Sequence, residues 1–287
     1  MNSKIIDGQK VASELKEELA KEVAKLRRKP GLAVVLVGDD PASQVYVNSK
    51  EKACLKAGFY SKKIVLPKET TQTELRHQIE LLNQDDQLDG ILVQMPLPKH
   101  LDEHEAILAI DPAKDVDCFH PQNLGELILQ KKALPMSELL AACTPKGILR
   151  LIASTGVSLS GRQVVVVGRS HLVGKPVALL LLAENATVQI CHSKTQDLTA
   201  QCRQADILVA AVGVPKLIKA SMVKPGAVVI DVGINRTKEG IVGDVDFEEV
   251  AKVAGFITPV PGGVGPMTIA SLLENTLILA KRRQRLA

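Results

Sequence analysis

Four short stretches of this chain carry residue types that can do chemistry. In SQVYVNSKEKAC, Tyr46 and Lys50 stand four residues apart, so on a helix they share one face. A phenol and an amine so placed can move protons, although a solvated surface pair has the same spacing. In DGILVQMPLP, Gln94 falls where an apolar strand ends, the position at which open α/β sheets place ligand-contacting groups. Pro96 and Pro98 stop that strand and fix the loop after it. Asp115 and Asp117 follow in KDVDCF, and by themselves read as solvated turn carboxylates. The fourth stretch is GRSHLVGKP (168–176), directly after the strand-like QVVVV. A glycine turn that leaves a strand and opens a helix turns backbone N–H groups toward a phosphate.

The type of phosphate follows from what the turn lacks. Five residues separate Gly168 from Gly174 and Pro176 follows Lys175, so the Walker pattern and a phosphotransferase built on Gly174-Lys175 are disfavoured. The G-x-G-x-x-G fingerprint is absent as well, because Ser170 and Val173 stand where glycines would. A tight turn alone explains a lone glycine; strand, helix and second glycine together point to a dinucleotide. About twenty residues on, NAD-preferring domains carry an acid that bonds the ribose 2′-hydroxyl. ATVQICHSKT has none there. Arg169 and Lys194 can instead meet a 2′-phosphate, with Ser170 and Ser193 as hydroxyl donors, which favours NADP. Tyr-x-x-x-Lys also occurs in short-chain dehydrogenases, but there it follows the glycine loop; here it precedes it by more than a hundred residues, which argues against that family.

The elements that must position these residues alternate. Apolar spacing predicts a helix over 9–28, a strand over 32–38, a helix over 43–57, a strand over 62–67, a helix over 71–83 and a strand over 89–96. The pattern loosens between 111 and 142, where a domain transition is placed. A helix over 145–154 then leads to strands over 163–167, 187–191, 206–211 and 227–232, with helices over 174–184 and 196–203. A last helix over 267–284 follows PVPGGVGP. Such alternation implies an α/β protein of two domains, with parallel sheets covered by helices.

Composition sets outer bounds. A length of 287 residues suits two domains, and a net charge of +4 with scattered basic residues offers nothing to a polyanion. KLRRK (25–29) reads as a solvated helix end. Tryptophan is absent and aromatics make up 2%, so a base-stacking platform and nucleic-acid binding are excluded. Five cysteines without a C-x-x-C pair fit reduced cytosolic thiols, with no disulfide framework and no metal site. Apolar runs such as VALLLLA are too short to span a bilayer, so a soluble cytoplasmic protein is expected.

Taken in order, SQVYVNSKEKAC, DGILVQMPLP, KDVDCFHPQNLGEL, CTPKG, VVVVGRSHLVGKP, CHSKT, PGAVVIDVGIN, GDVDF and TPVPGGVGPMT resemble the bifunctional methylenetetrahydrofolate dehydrogenase/cyclohydrolase (FolD) family over nearly the whole chain. The resemblance implies NADP-dependent oxidation of 5,10-methylenetetrahydrofolate, then hydrolysis to 10-formyltetrahydrofolate, in one-carbon metabolism feeding purine, methionine and histidine biosynthesis. It implies a folate domain over 1–142 completed by helix 267–287, a Rossmann-like NADP domain over 143–266, a cleft between them, and a homodimer through the NADP domains. Lys50 takes the central catalytic role with Gln94 beside it, Tyr46 packs on the folate, and Asp117 matches the pterin-binding carboxylate. Pro261 and Gly265 match a loop that closes over folate; Gly168, Arg169, Ser170, Ser193 and Ile234 match NADP contacts. One position departs: the family's Asp-Gly is Asp117-Cys118 here. Where that backbone needs positive φ, a cysteine costs roughly 1 kcal/mol. The rivals are a two-domain NADP dehydrogenase of the shikimate type, which would lack VQMPLP and PVPGGVGPMT, and a folate-binding protein without catalysis, which would not need Lys50 and Gln94.

The cofactor reading has a direct test. Arg169→Ala should weaken NADP binding by about tenfold or more and NAD binding far less, because only NADP offers the 2′-phosphate for a charge-assisted contact. Isothermal titration with both cofactors checks it, and equal losses would assign Arg169 to the shared pyrophosphate or to the fold.

Overall fold

The computed structural model describes residues 3–238 and 240–286. The chain opens with a two-residue strand, β1 (Lys4–Ile5), and a helix, α1 (Gly8–Val23). Next come β2 (Gly31–Val37), α2 (Pro41–Lys56), β3 (Tyr60–Leu66), α3 (Gln72–Gln84) and β4 (Gly90–Val93), then the short helices α4 (Glu103–Ala109) and α5 (Pro121–Leu129). A second alternation runs through α6 (Cys143–Ser154), β5 (Gln163–Val167), α7 (Gly174–Ala183), β6 (Thr187–Cys191), α8 (Leu198–Arg203), β7 (Ile207–Ala210) and β8 (Val228–Asp231). The hairpin β9 (Asn235–Thr237) and β10 (Gly240–Val242), one turn of helix, α9 (Phe247–Val250), the strand β11 (Phe256–Ile257) and the long α10 (Val264–Leu286) follow.

These elements form two compact units, each drawn from separated stretches. One takes Glu14–Glu126, Pro135–Ala141 and the chain from Leu272; the other takes the residues through Ser13, Leu127–Leu134 and Ala142–Ser271. Family resemblance placed the first 142 residues in one folate domain, whereas here β1 and the start of α1 group with the later half.

In the first unit β2 is the centre of a three-stranded parallel sheet, order β3-β2-β4, in register Gly31↔Tyr60 and Leu32↔Gly90. All seven β2 residues are buried, which is why the strand reads as an unbroken apolar run. Ala33, Val35 and Val37 pack with Leu75 and Ile79 of α3 and with Ile91 and Val93 of β4. α3 begins with a capping box, Thr71 Oγ1 accepting the Glu74 N–H while the Glu74 carboxylate accepts the Thr71 N–H. Its other end meets Lys114, whose buried ammonium donates to the carbonyls of Leu82, Asn83 and Asp85 at 3.2, 2.7 and 2.8 Å. A cation is favoured at that end of a helix, where carbonyls lack partners.

The helix expected over 9–28 stops at Val23. KLRRK is not a solvated helix end throughout, because Arg28 turns to the wholly buried carboxylate of Asp89. That carboxylate accepts from both Arg28 terminal nitrogens, from Gly31 N at 2.9 Å and from Arg283 Nη1 at 3.3 Å. Periodicity extends a helix as far as apolar residues recur; a buried charge that needs a partner ends it earlier.

The second unit holds a six-stranded sheet, order β1-β11-β8-β7-β5-β6, in which every pairing is parallel. Val165, Val167, Leu208, Ala210 and Val229 of its central strands pack with Cys191, Cys202 and Ile218. The two-residue β1 borders β11, with Lys4 opposite Phe256 and Ile5 opposite Ile257.

Asp89 supplies the sharpest stability expectation of the first unit. Asp89→Ala should cost about 3–5 kcal/mol, because two arginines and one backbone N–H lose a buried acceptor together. Arg283→Ala should cost about 1 kcal/mol, since Arg28 still neutralises the carboxylate. Urea unfolding of the two variants beside the parent protein checks the order and the gap.

Candidate active site

Lys50 owes its position to the start of α2. The Asp40 carboxylate accepts the Ser43 N–H at 2.7 Å and Pro41 occupies the first turn, which fixes where the helix begins. From there the buried stripe runs through Ser43, Val47, Lys50 and Cys54 at three- and four-residue steps. Lys50 brings a charge onto that buried stripe and is only 8% exposed. Its Nζ donates to Gln94 Oε1 at 2.9 Å. Gln94 lies directly after β4, where its N–H still pairs with the Val35 carbonyl at 2.8 Å. Its side-chain Nε2 donates to the Met95 carbonyl at 2.6 Å, so the amide oxygen is the end that meets Lys50 Nζ. Tyr46, one turn before Lys50, is 39% exposed, so its ring is accessible. Cys54 is inert: burial pushes its thiol up to about 12, so no thiolate forms near Lys50.

Asp117 hangs on a segment anchored at three successive residues. Lys114 is held by the end of α3, Ile91 N donates to the Lys114 carbonyl at 2.7 Å, and Asp115 forms an isolated parallel bridge with Ile91. The Asp115 carboxylate is buried and accepts from His120 N at 2.8 Å and Asn123 Nδ2 at 3.0 Å, so it is a structural brace and not the solvated turn acid the sequence implied. Burial pushes its carboxyl above the usual range, and the Asp117 charge adds to that. Asn275 of α10 donates to the carbonyls of Val116 and Ala141, both at 2.8 Å. Asp117 itself is half-buried, and Cys118 after it has φ +55° with its side chain buried beside Asn275. The left-handed backbone that glycine would favour is therefore present, occupied by cysteine.

The remaining site candidates belong to the second unit, on one edge of its sheet. Because all six strands run parallel, the loops after β5, β6, β7, β8 and β11 emerge on the same side. Gly168, Arg169 and Ser170 follow β5; Ser193 follows β6; Ile234 follows β8; Pro261 and Gly265 follow β11. Gly168 has φ +131°, and a Cβ there would overlap the Ala211 carbonyl; one on Gly174 would overlap the Gly168 carbonyl. Both glycines are thus required by the turn itself. Ser170 Oγ accepts from Val173 N at 3.1 Å and Gly174 N at 3.3 Å, which caps α7 and leaves its own proton to donate. Arg169, Ser193 and Lys194 are exposed and Ile234 is 50% exposed, as groups reaching for a ligand would be. The fit to a dinucleotide phosphate is good: a positive-φ glycine turn, a helix N-terminus, exposed cations, and no carboxylate at the end of β6.

Sequence reading missed two buried acids on this edge. Asp231 ends β8 and Asp244 follows β10, and together they bond five backbone N–H groups. Burial, aided by the Asp244 charge, pushes the Asp231 carboxyl up to about 6 against its three N–H donors. The sequence signal was an aspartate closing the apolar run AVVID, with Gly233 two residues after it and Gly243 directly before Asp244.

A parallel six-stranded sheet with a glycine turn after an inner strand places this chain among the two-unit α/β enzymes with a Rossmann-like nucleotide domain. The family model for the tetrahydrofolate dehydrogenase/cyclohydrolase catalytic domain matches residues 6–117, and that for the NAD(P)-binding domain of the same family matches 142–284. The bifunctional protein FolD of Acetivibrio thermocellus is 53% identical over 100% of both chains. Among solved structures, the FolD methylenetetrahydrofolate dehydrogenase/cyclohydrolase of Campylobacter jejuni aligns with a TM-score of 0.93 at 47% identity, covering 98% of this chain and 99% of that one. The Trypanosoma brucei enzyme, solved with NADP cofactor and an inhibitor, aligns with a TM-score of 0.93 at 40% identity over 99% of each chain. The chain belongs to the tetrahydrofolate dehydrogenase/cyclohydrolase family. A shikimate dehydrogenase from Thermus thermophilus aligns at a TM-score of only 0.50 and 13% identity, a likeness of fold alone, and the shikimate-type alternative is set aside.

Cys118 gives the site its own prediction. Cys118→Gly should leave folate affinity within about twofold, because the strain it relieves and the backbone freedom it adds are each about 1 kcal/mol and oppose one another. Cys118→Val should weaken folate binding, as a β-branched residue is poorly tolerated at positive φ. Fluorescence titration of both variants with tetrahydrofolate tests this, and a large loss in the glycine variant would show that the thiol itself is needed.

Proposed function

We propose that this chain oxidises 5,10-methylenetetrahydrofolate to the methenyl cation with NADP and hydrolyses that cation to 10-formyltetrahydrofolate, with Lys50 as the proton-transfer group of the second step. The observation that carries the assignment is the part-buried contact of 2.9 Å between Lys50 Nζ and Gln94 Oε1. The family supports both activities, and its NAD(P)-binding domain model supports the cofactor.

The chemistry explains why so few charged groups are required. NADP, when bound, supplies the hydride acceptor. The methylene carbon lies between two nitrogens whose lone pairs stabilise the cation left behind, so the protein needs only to hold the folate in place. Tyr46 packs against the ring system, and Asp117 accepts N–H bonds from the pterin edge. Hydrolysis differs, because protons must move. Water adds to the methenyl carbon and loses a proton to the Lys50 amine; the resulting hydroxyl then gives up its proton to solvent as the formyl C=O forms and the carbon–N5 bond breaks, while the Lys50 ammonium returns a proton to N5. One proton is released overall. Gln94 holds the amine at the reacting carbon by accepting one of its N–H bonds.

The resemblance further supports a folate-binding role for the first unit, an NADP-binding role for the second, and a cytoplasmic homodimer paired through the NADP-binding units. Among the described residues no helix is long and apolar enough to cross a membrane.

The two activities should separate at Lys50. Lys50→Met keeps most of the length and apolar stem but deletes the amine. Cyclohydrolase activity should fall by about 10²- to 10⁴-fold, the usual scale of general acid–base catalysis, while dehydrogenase activity falls less. Gln94→Ala should show a weaker form of the same split. Each half-reaction is measured separately, with methenyltetrahydrofolate supplied directly for the second; equal losses at unchanged substrate affinity would remove Lys50 from the hydrolytic step.

A further inference from the structure

The loops after β7 and β8 are not held by packing alone. Asp244 is wholly buried, and its Oδ2 accepts the N–H groups of Val212 at 2.7 Å and Gly213 at 3.0 Å, directly after β7. Its Oδ1 accepts Asn235 Nδ2 at 2.9 Å, next to Ile234 in the loop after β8. Asp231 holds Asp244 in turn: its Oδ1 accepts from Gly233 N at 3.0 Å and Asp244 N at 2.9 Å, and its Oδ2 from Val245 N at 3.0 Å. Two glycines make room for the pair. A Cβ on Gly233 would overlap the Asp244 carboxylate, and one on Gly243 would overlap that of Asp231. The residues so braced reach outward, since Gly213 is exposed and Ile234 is half-exposed.

Strand order shows which part of a ligand these loops meet. The sheet runs β8-β7-β5-β6, with the glycine turn after β5 and the basic loop Ser193-Lys194 after β6. A dinucleotide whose pyrophosphate sits over β5 and whose 2′-phosphate sits over β6 must extend its other half over β7 and β8. We propose that Asp244 is a positioning residue for the nicotinamide half of NADP, aligning the loops after β7 and β8 through three hydrogen bonds without touching the cofactor. This inference rests on placing NADP at Gly168, as argued above. One carboxylate serving two loops couples them, so they move or hold together.

The experiment compares two probes on the holo-competent full chain: NADP and 2′,5′-ADP, which carries the adenine half and the 2′-phosphate but no nicotinamide. Asp244→Asn keeps the size of the side chain but turns an amide donor toward a group that donates to it. Its NADP affinity should fall by about tenfold or more, on the scale of losing charge-assisted bonds, while 2′,5′-ADP affinity stays within about twofold. Asn235→Ala, which removes one of the three bonds and leaves the carboxylate, should show the same split at smaller size and guards against a folding failure of the first variant. A merely structural role would weaken both probes together, and that result, or unchanged NADP binding in both variants, overturns the inference. Arg169→Ala separates the underlying reading: if it leaves 2′,5′-ADP binding unchanged, the adenine half does not lie over β5 and β6, and the placement of NADP falls together with this role for Asp244.

Discussion

Parallel pairing is the constraint on which both units depend. A parallel strand cannot be followed by a tight hairpin to its neighbour; the chain must cross back over a sheet face before pairing again. Every strand then ends at the same sheet edge, and every loop after a strand emerges there. In the second unit this gathers Gly168, Ser193, Gly213, Ile234 and Pro261 on one edge although nearly a hundred residues separate the first from the last. In the first unit the same rule brings Gln94 to the end of β4, beside β2, in reach of the helix that carries Lys50.

An edge assembled from loops needs something to hold it, and here buried charge does so. Asp89, Asp115, Lys114, Asp231 and Asp244 are all nearly inaccessible, and each meets several partners. Burial of an unpaired charge costs so much that such groups tolerate few alternative geometries. Lys114 and Asp115 therefore fix the approach to Asp117, and Asp231 and Asp244 fix the loops after β7 and β8. Apolar contacts fill the cores; these polar braces set directions.

The proposed active-site chemistry is sparse for a related reason. Hydride loss from a carbon flanked by two nitrogens asks for alignment more than for acids or bases, so one amine suffices for the hydrolytic step. Placing that amine on the buried stripe of α2, with one amide oxygen in contact, gives it a defined position without a second charge. The sequence marked Lys50 only by its four-residue spacing from Tyr46 and by the motif around it; that Lys50 is buried on α2 and meets Gln94, 44 residues away, was decided by the sheet.

Local order set much of this protein. The apolar runs over β2, β5 and β8 mark buried strands and the glycine turn after β5 marks its own positive φ, because each of those effects acts within a few residues. Family motifs extended that reading to a reaction. Only the tertiary structure could decide where α1 ends, because Arg28 answers to Asp89, 61 residues away, and not to its own helix. Likewise β1 has two residues and no periodicity, and exists as a strand only because β11 offers it an edge. Asp115 looked like a surface turn for the same reason: whether an acid is solvated or buried depends on what packs over it, and hydrogen-bond partners brought together by folding carry no mark in the chain that joins them.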